Sequence, residues 1–251
     1  PLQKVKLNRS FFGVLGQELM WEKTKPSKNL NQLEFQAIVK ESKIDRTFIV
    51  LKYPKKSIKV NIPLAGVYNT YNFLAAFAAA FYLNINTEKI FGRLKNFLPA
   101  FGRFEKIRIN KKCVYISLIK NPAGASEVLK TIVPQLKKND QILLALNDNF
   151  ADGTDVSWIW DTQFERVEQA GYKGQIICSG ERAHDLALRL KYAGIDTNQI
   201  IIEPDLKKAF HASQEGLKGT LYVLPTYTAM LQLQRILTQL GVKKHYWEGT
   251  N

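Results

Sequence analysis

The chain has 251 residues, a hydrophobic content of 45% and a formal net charge of +14, which is enough apolar material for one large domain or two ordinary ones. These values exclude a disordered, collagen-like or disulfide-scaffold protein, and no stretch approaches the roughly 20 consecutive apolar residues of a membrane-spanning helix. Two cysteines, Cys113 and Cys178, are too few for a disulfide framework or a zinc site of their own. We expect two buried, reduced thiols.

The positive charge is concentrated in the first part of the chain. Residues 1–100 contain 16 Lys and Arg against 6 Asp and Glu, a net charge of +10. Between Lys52 and Ile62 the basic residues alternate with apolar ones, which is typical of the solvated face of an edge strand. No helix-turn-helix, zinc-finger or aromatic-rich RNA motif accompanies them, so we expect no nucleic-acid partner. Phosphorylated substrates or an anionic membrane surface fit this charge better.

The first part of the chain is predicted to be β-rich and then helical. Three strands are expected from β-branched, aromatic and alternating residues at Phe35–Val39, Thr47–Leu51 and Ser57–Ile62. A turn at residues 63–66 leads into an Ala- and Phe-rich helix over residues 69–83, and a second helix spans residues 87–97 with Thr87 as its N-cap. Residues 99–102 break this pattern and predict a hinge.

After the hinge, short apolar strands alternate with amphipathic helices. Strands are predicted at residues 114–119, 141–146, 175–178, 200–202 and 220–224, with helices at residues 124–136, 181–193, 207–215 and 228–240. This order indicates an α/β domain with a mostly parallel sheet covered on both faces. Ligands bind such sheets at the carboxyl ends of the strands, so the following loops are candidates: residues 120–124, 147–161, 179–181, 203–205 and 225–226.

Three short segments before and after the hinge have a chemical and a structural interpretation. Asn69 and Asn72 lie three residues apart at a helix start, where their amides can bond a flat heterocycle or simply cap the helix. Arg103 follows the hinge and can reach a ribose or a phosphate, or pair with Glu105. Lys120 stands beside a helix start at Gly124, whose backbone N–H groups are expected to be free for an anion; the alternative is an ordinary β–α turn.

The loop after the strand at 141–146 is unusual in composition. Four acids fall within 14 positions, with two tryptophans that would bury large area and hold the loop rigid; these residues are Asp148, Asp152, Asp155, Trp158, Trp160 and Asp161. A rigid acidic loop can bind a metal, orient a histidine or hold a cation. The alternative is a set of turn acids and helix caps, with Asp161 capping the helix that contains Phe164 and Val167.

These segments, in this order, resemble the Mur ligase superfamily of ATP-dependent ligases. The Gly66-x-x-Asn69-x-x-Asn72 helix resembles the middle, ATP-binding domain, and Gly102-Arg103-x-Glu105 resembles the start of the C-terminal domain. Residues 152–161, DGTDVSWIWD, with KNPAG at 120–124 upstream, are similar to the MurT family, the ligase-like subunit of lipid II isoglutaminyl synthase. The resemblance implies a Rossmann-like Mur ligase C-terminal domain at residues 100–251, preceded by part of the middle domain at residues 1–99.

The resemblance implies an ATP-dependent carbon–nitrogen ligase of peptidoglycan synthesis. In that family the α-carboxylate of D-glutamate in the lipid II stem peptide is activated by ATP as an acyl phosphate. Ammonia from a GatD-type glutamine amidotransferase partner then converts it to isoglutamine. A loop aspartate is expected to orient the partner's catalytic histidine; we favour Asp161, with Asp155 and Asp152 behind it. The implied location is the cytoplasm, near the inner face of a bacterial membrane.

The same resemblance implies the nucleotide-binding residues. Asn69 and Asn72 are expected to face adenine, Arg103 the ribose or phosphates, and Lys120 with Asn121 the neighbouring anion, although related ligases have an acid near position 121. ATP and Mg²⁺ are the implied cofactors. The phosphate loop GxxxxGK[ST] and the four-cysteine zinc ribbon of the family do not occur in this sequence. We therefore expect the chain to be the C-terminal part of a longer protein.

Two other functions remain open from the sequence. A non-catalytic module that docks and activates a glutamine amidotransferase fits the missing phosphate loop. A polyanion-binding domain fits the charge alone.

Overall fold

The computed structural model describes residues 12–15, 33–99 and 102–242. The chain divides into two compact units, Pro1–Leu98 and Pro99–Asn251, and this division lies one residue from the domain boundary expected from the sequence. Each unit has its own sheet, and the two are described separately below.

The described part of the first unit contains a sheet in the order β1-β2-β3-β4. Its strands are β1 (Phe12–Leu15), β2 (Phe35–Ser42), β3 (Thr47–Tyr53) and β4 (Lys56–Ile62). β1 is parallel to β2, and the other neighbours are antiparallel. Alternate residues of β3 are buried, as period-two patterning requires. Both basic residues of β4, Lys56 and Lys59, are exposed.

Two helices follow, α1 (Val67–Tyr82) and α2 (Thr87–Leu94). Phe73 and Phe77 of α1 pack into the same core as Phe35 of β2. Gly66 precedes α1 with a φ of +85°, a conformation that favours glycine. The prediction that Thr87 caps α2 is wrong: Asn86 is the cap, because its side chain accepts a hydrogen bond from the Glu88 N–H and Thr87 is already helical.

The described part of the second unit contains a six-stranded sheet in the order β5-β6-β10-β7-β8-β9. Its strands are β5 (Glu105–Ile109), β6 (Lys112–Ile116), β7 (Gln141–Ala145), β8 (Ile176–Ser179), β9 (Ile200–Ile202) and β10 (Thr220–Pro225). All neighbours are parallel except β5 with β6. The predicted α/β fold with a mostly parallel sheet is therefore confirmed, and β5 is a strand that the sequence patterning missed.

Helices cover both faces of this sheet: α3 (Pro122–Ile132), α4 (Glu165–Gln169), α5 (Ala183–Tyr192), α6 (Leu206–Ala212) and α7 (Tyr227–Gln239). The connections through α3, α4 and α5 advance along the sheet in one direction, and the one through α6 returns. Since parallel crossovers are right-handed, α3 to α5 lie on one face and α6 on the other. The packing agrees, because α3 contacts α4 whereas α6 contacts α7.

In the described ranges, no helix has both the length and the apolar character needed to cross a membrane. Cys178 on β8 is buried, as expected, and burial raises the pKa of its thiol to about 12. Cys113 on β6 is only half-buried, which corrects the expectation for that residue.

Candidate functional site

Loops that follow β6, β7, β8 and β10 meet at one edge of the second sheet. The strand register continues past the strand ends: the Thr226 N–H donates to the Ala145 carbonyl, and the Leu146 N–H donates to the Ser179 carbonyl. The loops brought together in this way are residues 120–124, 147–161, 180–182 and 225–228. Open α/β sheets bind their ligands at this edge. The acidic loop, residues 147–161, starts here.

Asn147 ties three of these loops to one another. Its backbone N–H donates to Thr226 Oγ1 at 3.0 Å, its Nδ2 donates to Thr228 Oγ1 at 2.9 Å, and its Oδ1 accepts from the Glu181 N–H at 3.1 Å. Gly180 passes so close that a Cβ there would lie 2.7 Å from Asn147 Oδ1. Asn147 is 1% exposed, and its three hydrogen bonds hold the loops in place.

Asp152 is bound by the start of α7. One carboxylate oxygen accepts from the Thr228 N–H at 2.8 Å, and the other accepts from the Thr228 hydroxyl. The side chain is buried. Since the first N–H groups of a helix lack partners within the helix, Asp152 acts as a remote cap of α7, and both of its oxygens are already in use.

Asp148 is bound by Arg182, which lies between β8 and α5. The Arg182 Nε donates to the carboxylate at 2.8 Å, and the guanidinium also approaches Asp185 at 3.6 Å. Hydrogen bonding and charge from Arg182 hold the pKa of Asp148 below its usual range. The pair is partly exposed, so it fixes the loop with a modest energy.

Asp155 begins the short 3₁₀ helix at Ser157–Asp161. Its Oδ1 accepts from the Ser157 N–H at 2.8 Å. Hydrogen bonds from the Ser157 side chain and backbone lower the pKa of Asp155. Asp155 itself is exposed, so one oxygen starts the helix and the carboxylate remains accessible to solvent.

The 3₁₀ helix is held from beneath by Arg189 of α5, which is 3% exposed. Its Nε donates to the Ile159 carbonyl at 3.1 Å, and its Nη2 donates to the Thr162 carbonyl at 2.8 Å and to Glu165 at 2.6 Å. The guanidinium carbon lies 5.6 Å from the ring centroids of both Trp160 and Phe164, a distance that allows a cation–π attraction. Arg189 therefore fixes the backbone of this segment and leaves its outer side chains unbound.

Asp161 is the last residue of the 3₁₀ helix and is exposed. Its carboxylate has no hydrogen bond or salt bridge to another residue in the described ranges. Trp160 beside it is 48% exposed. Asp161 thus differs from Asp148, Asp152 and Asp155, each of which is bound by a neighbour, and it is the loop acid best placed to accept a hydrogen bond from another molecule.

A cavity of about 390 Å³ opens beyond β7, β8 and β9, beside α6 and α7. Its charged lining residues are Glu181, Asp205, Lys207 and Arg235. Both acids already accept hydrogen bonds within the protein. Glu181 accepts from Asn149 at 3.1 Å, and Asp205 caps α6, where the backbone N–H of Lys208 lowers the pKa of Asp205. None of the site residues expected from the sequence lines this cavity.

The turn at 120–124 differs from the prediction in one respect. α3 begins at Pro122, and the side chain of its cap Asn121 accepts from the Gly124 N–H at 2.8 Å. The expectation that this N–H is free for an anion is therefore wrong, because the cap already satisfies it. Lys120 is exposed beside the turn.

The expected adenine-facing residues lie in the first unit. Asn69 Nδ2 donates to the Ala65 carbonyl at 2.7 Å, and Asn72 Nδ2 donates to Asn69 Oδ1 at 3.2 Å. Asn72 is exposed, so it keeps its Oδ1 and one amide N–H for the edge of a heterocycle. Arg103 lies in the second unit and is exposed just after Gly102, whose φ is +67°.

The structure gathers Lys120, Asn121 and Asp152 at the carboxyl edge of one sheet and places Asp161 at the end of a separate helical turn. Sequence reasoning marked the loops at 179–181 and 225–226 but missed the roles of Thr228, Arg182 and Arg189. A threonine in the first turn of a helix, an arginine just before a helix and an arginine inside one carry no local signal of what they bind. Their partners lie tens of residues away in the chain.

The chain is similar to known proteins in the region that carries this loop. The MurT ligase C-terminal family matches residues 118–230. The protein named lipid II isoglutaminyl synthase (glutamine-hydrolyzing) subunit MurT from Staphylococcus aureus strain COL is 36% identical over 172 residues, which are 68% of this chain and 38% of that protein. The protein of the same name from Streptococcus pneumoniae is 33% identical over 176 residues, 70% of this chain and 39% of that protein. The chain thus spans about two fifths of these relatives.

Solved structures support the same fold at lower identity. MurF from Acinetobacter baumannii superposes with a TM-score of 0.61 at 18% identity, covering 84% of this chain and 46% of that one. A folylpolyglutamate synthase from Mycobacterium tuberculosis, complexed with ADP, superposes with a TM-score of 0.59 at 17% identity, covering 84% and 49%. The fold is therefore that of the Mur ligases and folylpolyglutamate synthases.

Proposed function

Because residues 118–230 match the MurT ligase C-terminal family, we propose that this protein is the ligase-like part of a glutamine-dependent lipid II amidating enzyme. The relatives from two bacteria are named as a subunit of a glutamine-hydrolyzing synthase, which supports a division of labour between two chains. One chain would activate the substrate with ATP, and the other, a GatD-type glutamine amidotransferase, would release ammonia.

The proposed reaction has two chemical steps. The α-carboxylate of D-glutamate in the lipid II stem peptide attacks the γ-phosphate of ATP, which forms an acyl phosphate and releases ADP. Ammonia then attacks the acyl carbon, the carbon–oxygen bond to phosphate breaks, and a proton leaves the nitrogen to give the amide and inorganic phosphate. Water must be excluded between the steps, since it would hydrolyse the acyl phosphate.

The observation that carries the proposal is that the Asp161 carboxylate is accessible to another molecule. Glutamine hydrolysis by a cysteine nucleophile needs a histidine base, and a carboxylate that accepts the histidine Nδ1–H fixes its tautomer and orientation. Such a carboxylate must have a free oxygen and a fixed position. Asp161 is exposed and makes no hydrogen bond to other described residues, and it ends a helix whose backbone Arg189 holds at the Ile159 carbonyl.

The other two candidate acids are less suited to this role. Asp155 already accepts hydrogen bonds from the Ser157 N–H, at Oδ1, and from the Ser157 side chain. Asp152 is buried and has both oxygens bound by Thr228, so a partner's histidine would have to displace an existing cap. The geometry therefore favours Asp161, then Asp155, then Asp152.

ATP binding is the second part of the proposal. Asn69 and Asn72 would contact the adenine edge, Arg103 would reach the ribose or phosphates, and Lys120 with Asn121 would lie near the transferred group. The amide of Asn72 still has a donor and an acceptor available, which fits a purine edge. Among residues 12–15, 33–99 and 102–242, no group of three or more His, Cys, Asp or Glu side chains is placed to hold a metal ion, so no step is assigned to Mg²⁺ bound by these residues.

The substitution Asp161→Asn tests the proposal directly. In the full-length protein with its amidotransferase subunit, we expect glutamine hydrolysis and lipid II amidation to fall at least about a hundredfold, because an amide cannot hold the imidazole in the required tautomer. Amidation driven by added ammonium chloride should persist, since it bypasses the glutaminase. The measurements are glutamate release and mass spectrometry of the amidated product.

Asp155→Asn is the matched comparison, because it makes the same chemical change six residues earlier in the same loop, at the other end of the same helix. Wild-type glutamine hydrolysis in Asp161→Asn would overturn the role of Asp161. Absence of ATP-dependent amidation in the wild-type complex, even with ammonium chloride, would instead overturn the ligase function and leave a docking module that only activates the glutaminase.

A further inference from the structure

Two turns lie at the same end of the first unit. One joins β3 to β4 at residues 54–55, and the other joins α1 to α2 at residues 83–86. Tyr53, just before the first turn, packs against Phe81, just before the second, with ring centroids 6.0 Å apart. Phe35 at the start of β2 packs against the same Phe81 ring at 5.5 Å. These contacts bring the two turns together, and we call the region that they form the turn end.

The turn end has exposed positive charge on its strand side. Lys52, Lys55 and Lys56 of the β3–β4 hairpin are exposed. In the part of the chain that the structure describes, none of their ammonium groups has a salt bridge or hydrogen bond. Of the acids at this end, Glu34 accepts a hydrogen bond from the Tyr82 hydroxyl. The hairpin therefore presents lysines whose charge no neighbouring carboxylate binds.

The helix side of the turn end has exposed aliphatic side chains. Leu83 is 73% exposed and Ile85 is 45% exposed. Asn84 between them is in the left-handed conformation, with a φ of +56°, so the chain turns within these three residues. On α2, the charges of Glu88 and Lys89 offset each other. Two aliphatic side chains in water at one turn gain free energy when an apolar phase covers them.

We infer that the turn end is the surface through which this protein contacts an anionic lipid bilayer; the choice of a bilayer rests on the proposed function, whose substrate is a lipid. Stable contact of a protein with a bilayer surface needs two signals together. Basic side chains attract the anionic headgroups, and apolar side chains enter the boundary between headgroups and acyl chains. The turn end combines both, since Lys55 and Lys56 supply the charge and Leu83 and Ile85 supply the apolar contact.

The aliphatic residues favour a bilayer over a nucleic acid. Single-stranded nucleic acids bind proteins through phosphates on a basic groove and bases stacked on aromatic rings. The strongly exposed residue of the α1–α2 turn is the aliphatic Leu83, which offers no ring for a base to stack on. A nucleic acid would therefore use the lysines and leave Leu83 and Ile85 in water.

The turn end is also separate from the residues proposed to bind the nucleotide. Asn69 and Asn72 lie at the start of α1, and the turn end lies at its other end. The helix has 16 residues, so it is about 24 Å long. A bilayer at the turn end therefore leaves the start of α1 open to a nucleotide, and variants of the turn end leave the proposed nucleotide contacts unchanged.

Co-sedimentation of the full-length protein with lipid vesicles tests this surface. Wild type should bind vesicles made of equal parts of phosphatidylglycerol and phosphatidylcholine, and added NaCl should weaken the binding. Each lysine near an anionic surface changes the partition coefficient about fivefold, so Lys55→Gln/Lys56→Gln should lower it about 20-fold. The matched control is Lys137→Gln/Lys138→Gln, which removes an adjacent pair of exposed lysines from the second unit and should lower the partition coefficient less than about threefold.

A second variant tests the apolar contact at constant charge. Leu83→Gln/Ile85→Thr should lower the partition coefficient about tenfold or more, because the polar side chains no longer enter the apolar boundary. Its binding to single-stranded RNA should not differ from that of wild type. The melting temperature, followed by circular dichroism, should stay unchanged in this variant and in the lysine variants.

Three outcomes would overturn the inference. They are failure of the wild type to bind the vesicles, equal losses in Lys55→Gln/Lys56→Gln and its control, and wild-type vesicle binding by Leu83→Gln/Ile85→Thr. In the last case, tight binding of wild type to single-stranded RNA would assign the lysines to nucleic acid. The vesicle assay contains no ATP, glutamine or amidotransferase, so its failure in an enzyme that amidates lipid II in detergent refutes the surface alone. Vesicle binding without any amidation refutes the proposed function alone.

Discussion

The two ends of the acidic loop, residues 147–161, both contain aspartates, but the protein fixes the two ends by different contacts. In residues 147–152, the side chains of Asp148 and Asp152 are bound by Arg182 and by Thr228, and the amide of Asn147 joins three loops. In residues 157–161, the backbone is held instead, through carbonyls that accept from Arg189. The first segment uses its acids to fix the loop, and the second leaves its acid exposed.

This difference shows how a folded protein can present a carboxylate rigidly without occupying it. A side chain that anchors the loop has no oxygen left for a ligand, as Asp152 illustrates. A helical turn that is anchored through its carbonyls keeps its side chains available, because the fixing contacts lie on the buried side. Sites built on such supported elements hold their geometry with the precision that catalysis requires.

Arg189→Met should remove the contacts that fix residues 157–161, and it should have the largest effect on stability. It removes the three hydrogen bonds that the buried guanidinium donates, to the Ile159 and Thr162 carbonyls and to the half-exposed Glu165, which we expect to lower the free energy of unfolding by about 3 kcal/mol. Urea denaturation followed by circular dichroism measures this. Lys191→Met, the loss of an exposed charge on the same helix, is the control and should cost less than about 0.5 kcal/mol. Equal effects of the two changes would show that Arg189 does not hold the loop.

Asp152→Ala should loosen the first segment and have a smaller effect. The α7 start loses its remote cap, which we expect to cost about 1–2 kcal/mol. Asp152→Asn should cost less, because the amide oxygen can still accept from the Thr228 N–H and only the bond from the Thr228 hydroxyl is lost. The comparison uses the same urea titration. If Ala and Asn were equally tolerated, the carboxylate would not be the anchor that the geometry indicates.

The smallest expected effect is the change with pH in the stability that the Asp148 carboxylate contributes. Arg182 lowers its pKa in the folded protein from the ordinary 3.8, so its contribution to stability is complete above that value. This contribution is lost as the pH falls through the lowered folded pKa, because the unfolded chain binds the proton first. The stability difference between wild type and Asp148→Asn should therefore shrink from pH 5 to pH 2 in urea titrations. A difference that does not change with pH would contradict the pairing with Arg182.

Much of the fold could be predicted from the sequence, because its alternation of short apolar strands and amphipathic helices is a local pattern. The features that the sequence pattern did not predict also have physical causes. β5 carries alternating charged and apolar residues at an antiparallel edge, so it lacks the continuous apolar run of the central strands. The cap of α2 falls on Asn86 rather than Thr87, and Asn121 occupies the Gly124 N–H. Side chains one to three residues from a helix start compete for the same donors, and sequence patterning does not rank them.

The sequence by itself determined that a loop with four acids and two tryptophans follows a buried strand of a parallel sheet, and its motif pointed to the MurT family. It did not determine which acid is available. That was decided by contacts between distant positions: Thr228 reaches Asp152 across 76 residues, Arg182 reaches Asp148 across 34, and Arg189 reaches the Ile159 carbonyl across 30. Whether a carboxylate is an anchor or a functional group depends on the donors that the fold brings to it, and only the tertiary structure supplies those donors.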